Sequence, residues 1–235
     1  MSKGRGLQRV REIERTDIYN EYVARIGQII NGHVKRFERG DVIVDLGGDV
    51  EAILSRSQQS SAERWSQGEL IRSLIINVQQ RKGPLIDLSR TSPVLLRFLF
   101  EREVPEIDAG KVVIKAVARI PGERAKIAVM STVSDVDPLE VCLGLKNSRV
   151  LAITRELRGE KIDVIEWSDE LTVFAARALT PAKVNEVRVI DAEDRSLAVI
   201  VSEDQESLAL GKRGLNVRLA AELVRGSIEI KPLNV

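Results

Sequence analysis

The chain has 235 residues, with 36 Lys and Arg against 35 Asp and Glu, one His, one Cys and eight aromatic residues. A single Cys forms no internal disulfide and, with a single His, no Cys/His metal cluster, while a Ser-His-Asp or Cys-His machine would rest on His33 alone. No apolar run approaches the roughly 20 residues of a membrane span, and the charged N-terminus lacks the apolar core of a secretory signal. The expectation is therefore a cytoplasmic, non-enzymatic protein without cofactor or metal, folded and monomeric.

The segment Leu7 to Ile26 predicts a charged helix, with Leu7, Val10, Ile13, Ile18, Tyr22 and Ile26 three to five apart and Gly27 as its stop. From Gly27 the apolar period changes to two. Five strand-like runs follow, QIINGHVKRF, DVIVDLG, VEAILS, LIRSLIINVQQ and PLIDLSR, separated by turn signals such as Glu38-Arg39-Gly40 and Gly47-Gly48-Asp49. Five short strands in about 65 residues predict a small closed β-barrel, in which closure removes the sheet edges.

After Thr91 the pattern changes again. Ser92-Pro93 opens a helix, two strands follow around the turn Pro121-Gly122-Glu123-Arg124, and Asp137-Pro138 opens a short helix. A longer helix ends at Gly159, before the strand EKIDVIEW. The same order then repeats from Asp169. Gly144 and Gly211 are 67 residues apart, as are Gly159 and Gly226, so helix, strand, strand, helix, helix, strand occurs twice. The predicted boundaries are 1–26 for the linker helix, 27–91 for the barrel, 92–167 for the first repeat and 168–235 for the second. The link Trp167-Ser168-Asp169 is short enough to fix one repeat on the other.

The turn between the middle helices carries the chemistry. In the second repeat Gly211 and Gly214 bracket Lys212 and Arg213, and a helix with Asn216 and Arg218 follows. Glycines allow a tight turn and close approach of phosphates, the helix start presents free N–H groups, and the cations supply mobile positive charge. The first repeat has Gly144, Leu145, Lys146, Asn147, Ser148 and Arg149. Asn147 stands where the second glycine would be; Asn tolerates left-handed backbone, but its side chain would crowd a phosphate. Charge is close to balanced along the chain, at net +4 over residues 1–100 (16 basic, 12 acidic) and −3 over 101–235 (20 basic, 23 acidic). Contacts to a polyanion must therefore be local clusters. With only 3% aromatic residues, stacking platforms are disfavoured.

A GxxG loop between two helices against three strands resembles the KH domain in its prokaryotic (type II) topology. That resemblance implies a clamp on about four nucleotides of single-stranded nucleic acid, in a groove lined by aliphatic residues, here Ala209, Leu210 and Leu215, with Leu143 and Leu145 in the first repeat. Leu145 stands where that family's loop carries Pro. GHVKRFERGDVIVDLGGDVEAIL resembles an S1 barrel of the OB fold, with Lys35 and Arg36 as candidate RNA contacts; it lacks that family's exposed aromatic pair, for which Phe37 and His33 are partial substitutes. The fold class implied is α+β and multidomain: linker helix, five-stranded S1/OB-type barrel and two tandem KH domains.

The order of parts, with runs such as RGDVIVDLG, LSRTSP, PGERAKIAV and SLALGKRGLNVRLAAEL, resembles the NusA family of bacterial transcription elongation and termination factors. The resemblance implies binding of nascent single-stranded RNA across S1 and both KH units, with RNA polymerase and antitermination factors as partners. Members of that family usually carry a further N-terminal domain that holds polymerase; this sequence begins on the helix that would link to it, as either an excised fragment or a shortened member would. The alternative is a stand-alone RNA chaperone or ribosome-associated factor that never meets polymerase.

Overall fold

The computed structural model describes residues 3–234 and divides into two compact units, residues 1–95 and 96–235. In the first unit, helix α1 (Lys3–Val23) leads into strands β1 (Ile29–Glu38), β2 (Asp41–Asp45), β3 (Glu51–Leu54), β4 (Leu70–Val78) and β5 (Ile86–Ser89). The strands close into a barrel in the order β1-β2-β3-β5-β4, with β3 and β5 as its parallel pair. Inward positions of the alternating runs, including Val34, Val42, Val44, Leu54, Ile71, Ile75 and Ile86, form the barrel core. The tight Arg39-Gly40 corner has positive φ at both residues, the backbone that matches the twist of a β-hairpin.

Helix α1 stops three residues earlier than the periodicity predicts. The chain leaves it at Val23, and the Gly27 N–H donates to the carbonyl of Ile75 at 2.8 Å. Gly27 thus joins the barrel ladder and is not a simple helix stop. Of α1, Tyr22 is buried and packs with Ile18 and Tyr19 on the barrel core, whereas Leu7, Val10 and Ile13 are exposed. Arg90 is fully buried, with two bonds to Glu63 at 2.6 and 2.8 Å and one to the carbonyl of Arg72 at 2.6 Å. Its guanidinium lies 4.9 Å from the ring centre of Trp65, so the buried charge is both paired and stacked.

Helix α2 (Pro93–Glu103) opens the first of the two repeats. The first has a short helix α3 (Pro105–Asp108), which the sequence pattern does not announce, then β6 (Val112–Ile120), β7 (Arg124–Ser131), α4 (Pro138–Leu143), α5 (Ser148–Glu156) and β8 (Lys161–Glu166). The second has α6 (Leu171–Ala178), β9 (Glu186–Asp191), β10 (Ser196–Val201), α7 (Glu203–Leu210), α8 (Leu215–Val224) and β11 (Ser227–Pro232). Each repeat forms a three-stranded sheet with its second strand in the middle, antiparallel to the first and parallel to the last. Local chemistry sets the boundaries. Asp137 caps α4 by accepting from the N–H groups of Leu139 and Glu140, with Pro138 as first helical residue. The acidic turn at Asp191 is an Asx turn, its carboxylate accepting from the N–H groups of Glu193 and Asp194.

The two repeats share a core. Ala118, Ala128 and Ile165, on one face of the first sheet, are buried with Phe174 and Ala178 of α6 and Leu219 and Leu223 of α8. Small residues on the sheet let the helices approach closely. At this junction the buried Lys126 ammonium donates to Asp163 at 2.8 Å and to the carbonyl of Thr180 at 2.9 Å. Burial lowers its pKa to about 8, against the opposing pull of Asp163. Arg124 also binds Asp163, at 2.8 Å. The single thiol, Cys142, is buried in α4, and burial pushes it up to about 12, which leaves it unreactive.

Candidate nucleic-acid interface

The two interhelical loops have one backbone. Gly144 lies at φ 76°, ψ 171° and Gly211 at 73°, 173°. Lys146 (53°, 36°) corresponds to Arg213 (54°, 27°), and Asn147 (60°, 22°) to Gly214 (70°, 15°). Asn147 therefore takes the left-handed conformation of the glycine it replaces, as expected for Asn. The first glycine is fixed more strictly. A Cβ on Gly211 would lie 2.6 Å from the Cβ of Asn216, and one on Gly144 would lie 2.7 Å from the Cγ of Arg149. A Cβ on Gly214 would meet nothing within 4 Å, so only its backbone angle favours glycine there.

The residues five positions beyond the first glycine, Arg149 and Asn216, serve the loop and do not point out of it. Asn216 is fully buried, and its amide donates to the carbonyls of Leu179, Leu208 and Ala209 at 3.1, 3.2 and 3.0 Å. Arg149 donates to the carbonyl of Val141 at 2.6 Å and pairs with Glu106 at 2.9 Å. Leu208 and Val141 are equivalent in the repeat. Both side chains thus satisfy orphan carbonyls at the end of the preceding helix and hold the turn closed. Both stand among the residues expected to contact RNA, and in the structure each braces its loop. Ala209 is likewise in the core, not in a groove. The 67-residue repeat places Arg149 and Asn216 at equivalent positions, but a guanidinium opposite an amide carries no sequence signal of this shared role.

The exposed positions differ between the loops. Lys212 and Arg218 are exposed and make no ion pair among the described residues. Arg213 is exposed, with 61% of its side chain accessible, and meets Glu123 of the β6–β7 turn at 2.6 Å. In the first loop Lys146, Asn147 and Ser148 are exposed, and Leu145, 85% accessible, takes the place of Lys212. The second loop offers two loop-tip cations against one, and Arg218 beyond it. Leu210 is partly exposed and Leu215 half-buried beside the loop.

On the barrel, Lys35 and Arg36 lie on β1 with exposed His33 and Phe37. Both cations are already matched. Arg36 binds Glu38 at 2.6 Å and Glu51 at 2.7 Å, and Lys35 lies 3.6 Å from Glu51. The bonds from Glu51 and Glu38 hold the Arg36 guanidinium above its ordinary pKa. Among the described residues there is no group of three metal-binding side chains, and no helix is long and apolar enough to cross a membrane.

A closed barrel of this topology followed by two helix–turn–helix units of one backbone, the second with a GxxG loop and the first with Asn147 in place of the second glycine, defines a chain of the S1–KH–KH class. Family models agree in order: an S1 RNA binding domain over residues 23–89, a NusA-like first KH domain over 90–167 and a NusA-like second KH domain over 171–234. The chain belongs to the NusA family. It is similar to the transcription termination/antitermination protein NusA of Halalkalibacterium halodurans, 47% identical over 225 residues, 95% of this chain and 58% of that protein. The protein of the same name from Rickettsia conorii is 44% identical over 226 residues, 95% of this chain and 45% of its own length. That of Mycobacterium bovis is 42% identical over 233 residues, 96% of this chain and 67% of its own length. The chain thus spans about half to two thirds of these relatives.

Proposed function

We propose that this chain is a non-enzymatic, cytoplasmic, monomeric RNA-binding body that holds nascent single-stranded RNA and thereby modulates elongation, pausing, termination and antitermination of transcription, with RNA polymerase and antitermination factors as partners. The domain limits proposed for it are 27–91, 92–167 and 168–235. The observation that carries the reading is the Gly211–Gly214 loop. It is a strained, glycine-bracketed turn with exposed Lys212 and Arg213 at its tip and Arg218 beyond it, set between two helices and braced from behind by Asn216. Phosphates approach such a turn from the glycine side, while mobile cations neutralise them.

Within this reading the second KH loop is the principal contact. The first, with Gly144, Lys146, Asn147 and Ser148, is a weaker one, and Lys35 and Arg36 contribute little because Glu38 and Glu51 compete for them. The test is a titration of the 235-residue chain with single-stranded RNA oligomers at two salt concentrations. Lys212, Arg213 and Arg218 alone give a slope of log K on log salt of about −2, so a slope of −2 or steeper is expected. Binding that is absent or independent of salt would overturn the reading. Retention of core RNA polymerase by the same chain tests the partnership and separates it from a stand-alone RNA chaperone.

A further inference from the structure

The positive excess of the first unit lies away from the barrel residues that the sequence singled out. Lys35 and Arg36 face Glu38 and Glu51, two cations against two carboxylates. On α1, by contrast, Gln8, Arg11, Glu12 and Arg15 fall on one helical face by their spacing of three and four. That face and the β4–β5 connection, with Arg81 and Lys82, line an open cleft of about 770 Å³. Four cations and one carboxylate, Glu12, border this space.

The four cations divide into two kinds. Arg15 donates to the carbonyls of Arg81 and Gly83, the latter at 2.8 Å, and Arg81 donates to the carbonyl of Pro84 at 2.6 Å and to Asp87 at 2.6 Å. Arg15 thus ties the β4–β5 connection to α1, and Arg81 braces that connection from within. Arg11 and Lys82 are exposed and make no hydrogen bond or ion pair among the described residues. Neither is engaged by a carboxylate among the described residues, a condition that Lys35 and Arg36 do not meet, and Glu12 is the one acidic residue bordering the cleft.

We infer that this cleft is a second single-stranded RNA site, in which Arg11 and Lys82 bind backbone phosphates and Arg15 and Arg81 position them. No aromatic side chain lines it, so it offers charge and no stacking platform, which suits sequence-independent contact to a sugar-phosphate chain. Its open form and the placing of cations on both walls fit an extended polyanion better than a small enclosed anion. The inference rests on the RNA-binding reading above.

The test compares the whole chain with Arg11→Gln/Lys82→Gln and, separately, Gly214→Asp, on the same single-stranded RNA oligomer. Thermal melting checks that each variant is folded. Loss of two phosphate contacts makes the salt slope shallower by about 1.4, so the drop in affinity between ~50 and ~200 mM salt becomes about sevenfold smaller. An unchanged slope and affinity in Arg11→Gln/Lys82→Gln, with Gly214→Asp still impaired, would overturn the cleft and leave the KH reading standing. Failure of the unmodified chain to bind RNA would overturn both. Binding of poly-glutamate that disappears in Arg11→Gln/Lys82→Gln, with RNA affinity unchanged, would assign the cleft to an acidic protein segment instead and so refute the RNA site.

Discussion

The loops at Gly144–Asn147 and Gly211–Gly214 have the same backbone within about 15° and different chemistry on it. In the second, the left-handed positions hold Arg213 and a bare Gly214, and Lys212 stands at the tip. In the first they hold Lys146 and Asn147, and the tip residue is the exposed Leu145. The turn is a property of the fold, since Arg149 and Asn216 fasten it in both repeats from equivalent positions. The phosphate contact proposed for it depends on the side chains at the tip, Lys212 and Arg213 against Leu145 and Lys146, which differ between the repeats while the backbone does not. A KH fold with a well-formed loop is therefore not by itself evidence of an RNA contact of full strength.

The comparison can be tested at several places, beginning with the braces. Asn216→Ala removes the donor of three carbonyls from a fully buried site, and is expected to destabilise the second unit by about 3 kcal/mol. Arg149→Ala acts at a half-buried position that water reaches, and about 1 kcal/mol is expected. Denaturant unfolding measures both; equal losses would show that the two turns are not held with different strength.

A smaller effect is expected at the repeat junction. The folded-state pKa of Lys126 is lowered to about 8, below that of an unfolded lysine, so the protonated side chain opposes folding at neutral pH. That penalty is fully present below pH 8 and diminishes as pH rises toward about 10.4, where the unfolded lysine also loses its proton. The stability of the chain relative to Lys126→Met should therefore rise across this window. A flat difference between the two unfolding curves would mean that Lys126 is not buried in the charged form.

On the RNA side, Asn147→Gly removes the side chain beside the first loop without altering its backbone angle, and a gain of about threefold in affinity is expected if crowding is what weakens that loop. Glu123→Gln releases Arg213 from an exposed ion pair of modest strength, and about twofold tighter binding is expected. Fluorescence titration with a short RNA measures both. A loss of affinity on Glu123→Gln would mean that the pair presents Arg213 to RNA and does not compete for it.

Much of this architecture could be read from the residues. The change of apolar period at Gly27 and the turn residues gave five barrel strands, and the 67-residue spacing of glycines gave the repeats and their loops. The left-handed turn at Asn147 followed from what Asn tolerates. What could not be read was long-range pairing. Glu123 lies 90 residues from Arg213, Glu106 lies 43 from Arg149, and Glu51 lies 15 from Arg36. No local pattern tells which cation is free and which is matched. For the same reason Arg11 and Lys82, unremarkable in a charged helix and a polar turn, emerge as available charges only when α1 is seen against the β4–β5 connection.

The most direct test of the difference between the two loops places the same group at the same backbone position in each. Gly214→Asp and Asn147→Asp both put a carboxylate at a left-handed residue where the chain would meet a phosphate; a Cβ at Gly214 has open space around it, so the cost there is the left-handed backbone alone, which Asp tolerates better than most residues, and thermal melting checks that each variant is folded. With single-stranded RNA at low salt, Gly214→Asp should reduce affinity by more than about tenfold and Asn147→Asp by less than about threefold. Equal losses, or a larger loss from Asn147→Asp, would contradict the assignment of the second KH loop as the principal RNA contact.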